Sequence, residues 1–268
     1  AFILIGYSSY SIVLIRSNYN PPIDENNPES LLSFVSYLKR EQYGSRPLLS
    51  GQLYTAEVVD QTKGEPVYRK GKDEYEIADY KMDYIYDPQH TSVLPRAWSN
   101  APAHVQKYRQ ILGLKQGEKP SFGDNLYFMF KHQLGTMYFR YFMWNFAGRE
   151  SDIQGADWMG IPAALKNVPQ ALAENKGRNA FFMIPLILGL IGMFFQYYKD
   201  PYNFFFVAML FFLTGAAIVL YLNSPPVEPR ERDYIYAGSY YAFAFWIGMS
   251  VIGLYRGISL VVKNNMAA

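Results

Sequence analysis

The chain has 268 residues, with 25 Lys and Arg against 23 Asp and Glu, a formal net charge of +2 and no cysteine. So small a positive surplus, with no basic run, excludes the phosphate-tracking face of a nucleic-acid binder, and the missing cysteines exclude disulfides, thiolate catalysis and Cys-based zinc sites. The three histidines, His90, His104 and His132, stand far apart without metal-ligand spacing.

The average composition conceals two unlike parts. Residues 16–179 are polar and mixed, whereas 180–262 are almost continuously apolar. The first residues are apolar at once, from Phe2-Ile3-Leu4-Ile5 to Ile12-Val13-Leu14-Ile15, and Arg16 follows. At about 1.5 Å per residue this run falls short of the roughly 30 Å of hydrocarbon in a bilayer. It has neither the basic start nor the cleavage site of a signal peptide. Residues 1–15 are therefore expected to be the end of a truncated transmembrane helix, and the chain an internal piece of a longer protein.

Residues 16–120 read as a small extramembrane α+β region. Asn27 before Pro28 predicts a helix start, with Leu31, Phe34, Val35 and Leu38 on one face and a stop at Gly44. Strands are expected within 66–86 at Val67-Tyr68, Tyr75, Ile77 and Tyr84-Ile85-Tyr86, with a turn at Gly71-Lys72-Asp73. Pro102 to Leu112 predicts another helix, ended by Gly113.

Residues 121–179 hold an aromatic helix and a loop. Tyr127, Phe128, Phe130, Tyr138, Phe139, Tyr141, Phe142, Trp144 and Phe146 crowd a stretch that also carries Lys131, His132 and Arg140. It is too charged to span easily and too aromatic for free solvation, so an interfacial helix is expected, with core packing as the alternative. Three full spans are expected in 180–262, over 180–198, 203–222 and 235–255. None contains an acidic or basic residue, and tyrosines mark their ends. The fold expected is thus an α-helical polytopic membrane protein, with three full spans, one truncated N-terminal span, a small α+β extramembrane region and an interfacial aromatic helix.

Two constellations could carry chemistry. The first runs through Trp144-Asn145-Phe146-Ala147-Gly148-Arg149 to Asp152-Ile153-Gln154-Gly155, where Arg149 could clamp a phosphate or pair locally with Asp152. The second is the linker Pro225-Pro226-Val227-Glu228-Pro229-Arg230-Glu231-Arg232-Asp233-Tyr234. There Arg230 and Arg232 could bind a lipid-linked phosphate, with Glu231 or Asp233 for acid–base or metal work, or the charges could neutralise one another. Asp24-Glu25 is a third, weaker acidic pair. No phosphate-binding glycine loop, dinucleotide fingerprint, HExxH or serine nucleophile elbow occurs.

Four strings resemble one family. They are Asn20-Pro21-Pro22-Ile23-Asp24-Glu25-Asn26, then Arg40-Glu41-Gln42-Tyr43-Gly44 with Arg46-Pro47-Leu48-Leu49, the run from Tyr138 to Gly155, and Pro229-Arg230-Glu231-Arg232-Asp233-Tyr234. The family is the bacterial branch of polytopic membrane proteins related to the eukaryotic transmembrane protein O-mannosyltransferases, with a C-type glycosyltransferase fold. The resemblance implies transfer of a sugar from a polyprenyl-phosphate carrier to a protein hydroxyl outside the cytoplasm. Nothing in the chain matches the family's first external loop, which carries the catalytic acidic residue. Asp24, Glu231 and Asp233 are left as acidic candidates, and the chain alone is expected to be inactive.

On this resemblance Arg149, Arg230 and Arg232 would contact the donor phosphate, and Trp144 and Tyr234 would sit at the lipid interface. Membrane lipid, the lipid-linked sugar and a protein acceptor would be partners, and a divalent metal is left open. The resemblance also implies a bacterial cytoplasmic membrane, with 16–179 and 223–234 on the periplasmic side. Arg16, Lys166, Lys176, Arg178, Arg230 and Arg232 near that outer side outnumber Lys199, Arg256 and Lys263 inside, against the positive-inside bias. A rival reading is a non-catalytic membrane subunit whose polar region docks a partner.

Overall fold

The computed structural model describes residues 2–41, 44, 46–72 and 74–266. Gln42, Tyr43 and Asp73, which the sequence reading assigned to a motif and a turn, lie outside the described residues. The chain divides into two compact units, residues 1–47 with 56–91 and residues 48–55 with 92–268. About half of the protein is helical, and the sheet content is small.

In the first unit the initial apolar run is two short helices, Phe2–Ser8 and Ser11–Ser17, rather than one continuous segment. Serine hydroxyls at the break donate to the preceding turn, Ser8 to the Ile5 carbonyl and Ser9 to the Gly6 carbonyl, both at 2.7 Å. Such back-bonding competes with the helical ladder. The next helix, Leu31–Leu38, begins later than Asn27-Pro28 suggests. Asn27 has a left-handed φ of 38°, and Ser30 caps the helix in a reciprocal box with Ser33.

The strands of this unit form one long antiparallel hairpin, Val58–Lys70 with Tyr75–Tyr86, in register from Val58 opposite Tyr86 to Lys70 opposite Tyr75. Its first strand starts earlier than 66 because Pro66 is tolerated at a register irregularity between Lys63 and Pro66. Lys81 ties the hairpin to its surroundings, 2.9 Å from Glu41 and 3.2 Å from Glu65.

In the second unit, the helix Pro102–Leu112 ends where Gly113 adopts a φ of 71°. Its Tyr108 packs on Phe128, the rings meeting edge-on at 5.0 Å. Residues 122–146 are one continuous rod, α-helical over Phe122–Phe128 and Arg140–Phe146 and π-helical over Met129–Phe139. The aromatic rod was expected to lie in the membrane interface. Its later part instead packs into a core, with Tyr138, Tyr141, Phe142, Met143, Trp144 and Phe146 buried, while Tyr127, Phe130 and Phe139 are exposed.

Among the described residues, two helices are long and apolar enough to cross a membrane, Pro201–Leu222 and Asp233–Ser259. The first is interrupted at Gly215, where the backbone leaves helical geometry. The third span expected, 180–198, is shorter. Its first residue, Ala180, ends a strand, Asn179–Ala180, paired with Gly148–Arg149, and the helix runs only from Ile184 to Lys199. Sixteen residues at about 1.5 Å each fall short of about 30 Å.

The helices Ile184–Lys199 and Pro201–Leu213 pack on the long helix Ala237–Met266, the first of them through small residues. Gly192 lies directly under the Trp246 carbonyl, and Gly189 under the Phe243 ring. Trp246 Nε1 donates to Gln196 Oε1 at 2.7 Å, satisfying a buried polar pair. Apolar side chains such as Phe194, Phe205, Phe206, Leu213, Phe245 and Ile252 face outward instead. Gly248, on the same helix, has open space where a Cβ would go.

That contrast gives a paired test. Gly192→Ala would overpack a backbone contact and should lose about 1–3 kcal/mol, read as a lower unfolding midpoint in detergent. Gly248→Ala should leave the midpoint unchanged or raise it slightly, since alanine is the better helix former. Equal effects would refute the close crossing of these two helices.

Candidate functional site

The linker between the two long apolar helices is fixed at both ends. At its start, Asn223 takes a left-handed φ of 41° after the helix Ala216–Leu222. Its side chain is fully buried, donating to the Pro95 carbonyl at 2.9 Å and accepting from Gln133 Nε2 at 3.0 Å. Trp98 Nε1 donates to the Asn223 carbonyl at 2.9 Å, and Arg96 Nη1 to the Leu220 carbonyl, also at 2.9 Å. A cation at the carbonyl end of a helix complements the dipole there.

At its far end the linker is held by Glu231. Arg140 approaches this carboxylate in a fork, Nη2 at 2.8 Å and Nη1 at 3.4 Å. The Gly155 N–H donates to it at 2.6 Å, and the Tyr141 hydroxyl makes a further short hydrogen bond. Arg140 also donates from Nε to the Thr136 carbonyl at 3.0 Å and from Nη1 to the Ala156 carbonyl at 2.8 Å. The rod, the loop after it and the linker therefore meet on one carboxylate.

The ring of Trp144 lies beneath two guanidinium groups, with Arg149 Cζ 4.0 Å and Arg140 Cζ 4.7 Å from its centroid. The expectation that Trp144 faces lipid is corrected here: it is 4% exposed, because these cations and the surrounding aromatic cluster cover it. Arg149 does not pair with Asp152. Its Nε donates to the Ser151 carbonyl at 2.7 Å, while Asp152 accepts from Asn175 Nδ2 at 2.7 Å. Arg232 is paired with Glu228 at 2.9 Å. Arg230 is exposed, with Cζ 6.0 Å from the Tyr234 ring centroid, and Tyr234 is exposed too. Asp233 opens the short turn Asp233–Tyr236.

Asp24 belongs to the first unit, where it accepts from Ser17 Oγ at 2.9 Å. Among the described residues, no group of three or more His, Cys, Asp or Glu side chains is arranged to hold a metal ion.

A family of unknown function (DUF8416) matches residues 44–130. No curated protein and no solved structure matches the chain. The matched stretch takes in the hairpin and the helix Pro102–Leu112 but ends before the cluster around Glu231.

Sequence reasoning missed Arg140, Tyr141 and Gly155 as site residues. Arg140 carried a partial signal, since a guanidinium inside an aromatic run needs a partner, but with Glu150, Asp152 and Asp157 nearer in sequence nothing pointed to Glu231 in the linker. Tyr141 and Gly155 lie in the run from Tyr138 to Gly155, but nothing in the sequence assigned the Tyr141 hydroxyl or the Gly155 amide a role.

The electrostatics follow from these contacts. Burial alone would raise the Glu231 pKa, but hydrogen bonds from Arg140, Tyr141 and the Gly155 amide outweigh it and hold the carboxyl below its ordinary 4.5. Burial, then the bond to Glu231, pushes the Tyr141 phenol up to about 12, so it remains a donor. His132 is lowered to about 4 by burial, with Lys107 and Arg140 adding to the effect, and is neutral near pH 7.

A depressed carboxyl stabilises the fold above its unfolded pKa, and the contribution fades as pH falls through the folded value. Wild-type protein should therefore outlast Glu231→Gln in thermal unfolding above about pH 4.5, with the gap closing below it. A gap independent of pH would contradict the ion pair.

Proposed function

We propose that this chain is part of a membrane glycosyltransferase that takes a sugar from a polyprenyl-phosphate carrier and delivers it to a protein hydroxyl outside the cytoplasm. In this reading the outward-facing apolar helices lie in lipid, in a bacterial cytoplasmic membrane. The carrier's phosphate is held at the linker end of those helices by Arg149 and Arg230, and Tyr234 reaches the lipid.

The observation that carries the reading is a set of unmatched donors on the two segments that Glu231 joins. Arg149, over the Trp144 ring, and Arg230, exposed on the linker, have no carboxylate partner among the described residues. Among the same residues the buried Trp144 Nε1 has no acceptor. Buried donors without partners are costly, and an oxygen-rich anion would satisfy them. Two of the four strings that carry the family resemblance, 138–155 and 229–234, also join in this cluster through Glu231.

Arg232 has a different part in this account from the one its sequence suggests. Its pairing with Glu228 makes it a brace of the linker, so Arg149 and Arg230 are the phosphate contacts. Glu231, engaged by Arg140, Tyr141 and Gly155, is poorly suited to remove a proton from an acceptor hydroxyl.

That engagement also favours the second reading, a non-catalytic membrane subunit. The acidic group at the centre of the cluster is used in holding the linker. The two readings part on one experiment. In the complete protein, Arg149→Ala and Arg230→Ala should each reduce sugar transfer from a polyprenyl-phosphate donor at least tenfold, at unchanged protein level. Full transfer in both variants would sink the phosphate assignment, and co-purification of a stoichiometric partner without bound lipid would favour the subunit.

A further inference from the structure

Glu231 reaches its partners from a separate stretch of chain. Arg140 and Tyr141 are neighbours on the aromatic rod, and Gly155 lies in the loop after it. Together they present a guanidinium fork, a phenol hydroxyl and a backbone amide. Those three kinds of donor, converging on two oxygens that share one negative charge, make a general seat for an oxyanion. A phosphate group, as a diester, a monoester or the free ion, also presents at least two equivalent oxygens that share negative charge, so it can make the contacts that the carboxylate makes. The Glu231 side chain keeps 20% of its surface exposed and the Arg140 side chain 11%, so the seat is covered but not sealed.

The surroundings are more cationic than one carboxylate requires. Arg149 shares the Trp144 ring with Arg140 and has no carboxylate partner among the described residues, and the buried Trp144 Nε1 has no acceptor. With Glu231 seated, one buried donor, Trp144 Nε1, and one guanidinium without a carboxylate, Arg149, remain next to Arg140 among the described residues.

We propose that Arg140, Tyr141 and the Gly155 amide form a phosphate-binding seat, and that Glu231 occupies it as an internal stand-in that an incoming phosphate group displaces. The proposal rests on the phosphate reading above for the identity of its ligand. Displacement would free the linker from the rod at its Glu231 end, while Asn223 still holds the other end. Binding of the anion and release of the linker would then be one event. The geometry opposes Glu231 to the ligand: a competitor for the seat weakens binding, whereas a mere brace of the site would strengthen it.

The test uses the whole chain in detergent micelles, with affinity read from tryptophan fluorescence. The probes are a polyprenyl phosphate and, separately, inorganic phosphate at constant ionic strength. Glu231→Gln keeps the side chain's shape and removes its charge, so it should bind the polyprenyl phosphate at least tenfold more tightly than wild type. Arg140→Gln added to Glu231→Gln should abolish that gain. A parallel gain for inorganic phosphate would identify the phosphate itself as what is recognised, and a gain for the lipid alone would identify the lipid-borne form.

Glu231→Gln binding no more tightly than wild type would overturn the proposal. Should that variant not fold, Glu231→Asp, which withdraws the carboxylate by one methylene, is held to the same direction of change. If Arg149→Ala and Arg230→Ala lose lipid binding while Glu231→Gln gains nothing, the seat is wrong and the donor-site reading stands. If no form of the protein binds the polyprenyl phosphate, the donor-site reading falls, and the seat is then judged on inorganic phosphate by the same Glu231→Gln comparison.

Discussion

A single carboxylate, Glu231, joins parts of the second unit that lie far apart in sequence. Its position between Arg140, Tyr141 and Gly155 draws the linker onto the aromatic rod. The side chains of the ion pair retain only 11% and 20% of their exposed surface. A pair this sheltered is screened far less than a surface bridge, and loss of either partner leaves a charge short of water. Arg232 and Glu228 add a more exposed pair beside it, whose contribution is correspondingly smaller.

The same linker is fixed at its start by Asn223, which Gln133 and Pro95 hold in a conformation that residues other than glycine seldom adopt. Between the two anchors stand Pro225, Pro226 and Pro229, whose fixed φ removes much of the freedom a tether of this length would otherwise have. The linker therefore transmits the packing of the long apolar helices to the charged cluster. Gly189, Gly192 and the Trp246–Gln196 hydrogen bond bring the helix Ile184–Lys199 close to Ala237–Met266. Tyr138 bonds Ser239 at 2.6 Å and links the rod to the same long helix. A functional reading of the cluster draws on this rigidity, since recognition of an anion by a guanidinium fork requires the fork to be held in place.

Much of the architecture was legible where one physical signal dominated. The helix Pro102–Leu112 shows proline at its start and glycine at its end, and two of the long apolar stretches show no charge. The first apolar stretch was misjudged in length because Asn179 and Ala180 pair with Gly148 and Arg149, a tertiary contact that hydropathy does not encode. For the aromatic rod the alternative of core packing describes the rings from Tyr138 to Phe146 apart from Phe139, whereas Tyr127 and Phe130 stay exposed, and ring content alone does not separate a core from a membrane interface. The individual partners of the arginines were not legible, because they depend on which group the fold brings near. On the linker Arg232 has Glu228, on the rod Arg140 has Glu231, and in the loop after it Arg149 has the face of Trp144.

The most direct measurement is a double-mutant cycle on Arg140 and Glu231, using Arg140→Gln, Glu231→Gln and both together, with unfolding free energies taken in detergent near neutral pH. A sheltered, charge-assisted contact should show a favourable coupling of about 1.5–3 kcal/mol. Coupling indistinguishable from zero would mean that the linker and the rod are not joined through this carboxylate, and the account of the site built on that junction would fail with it.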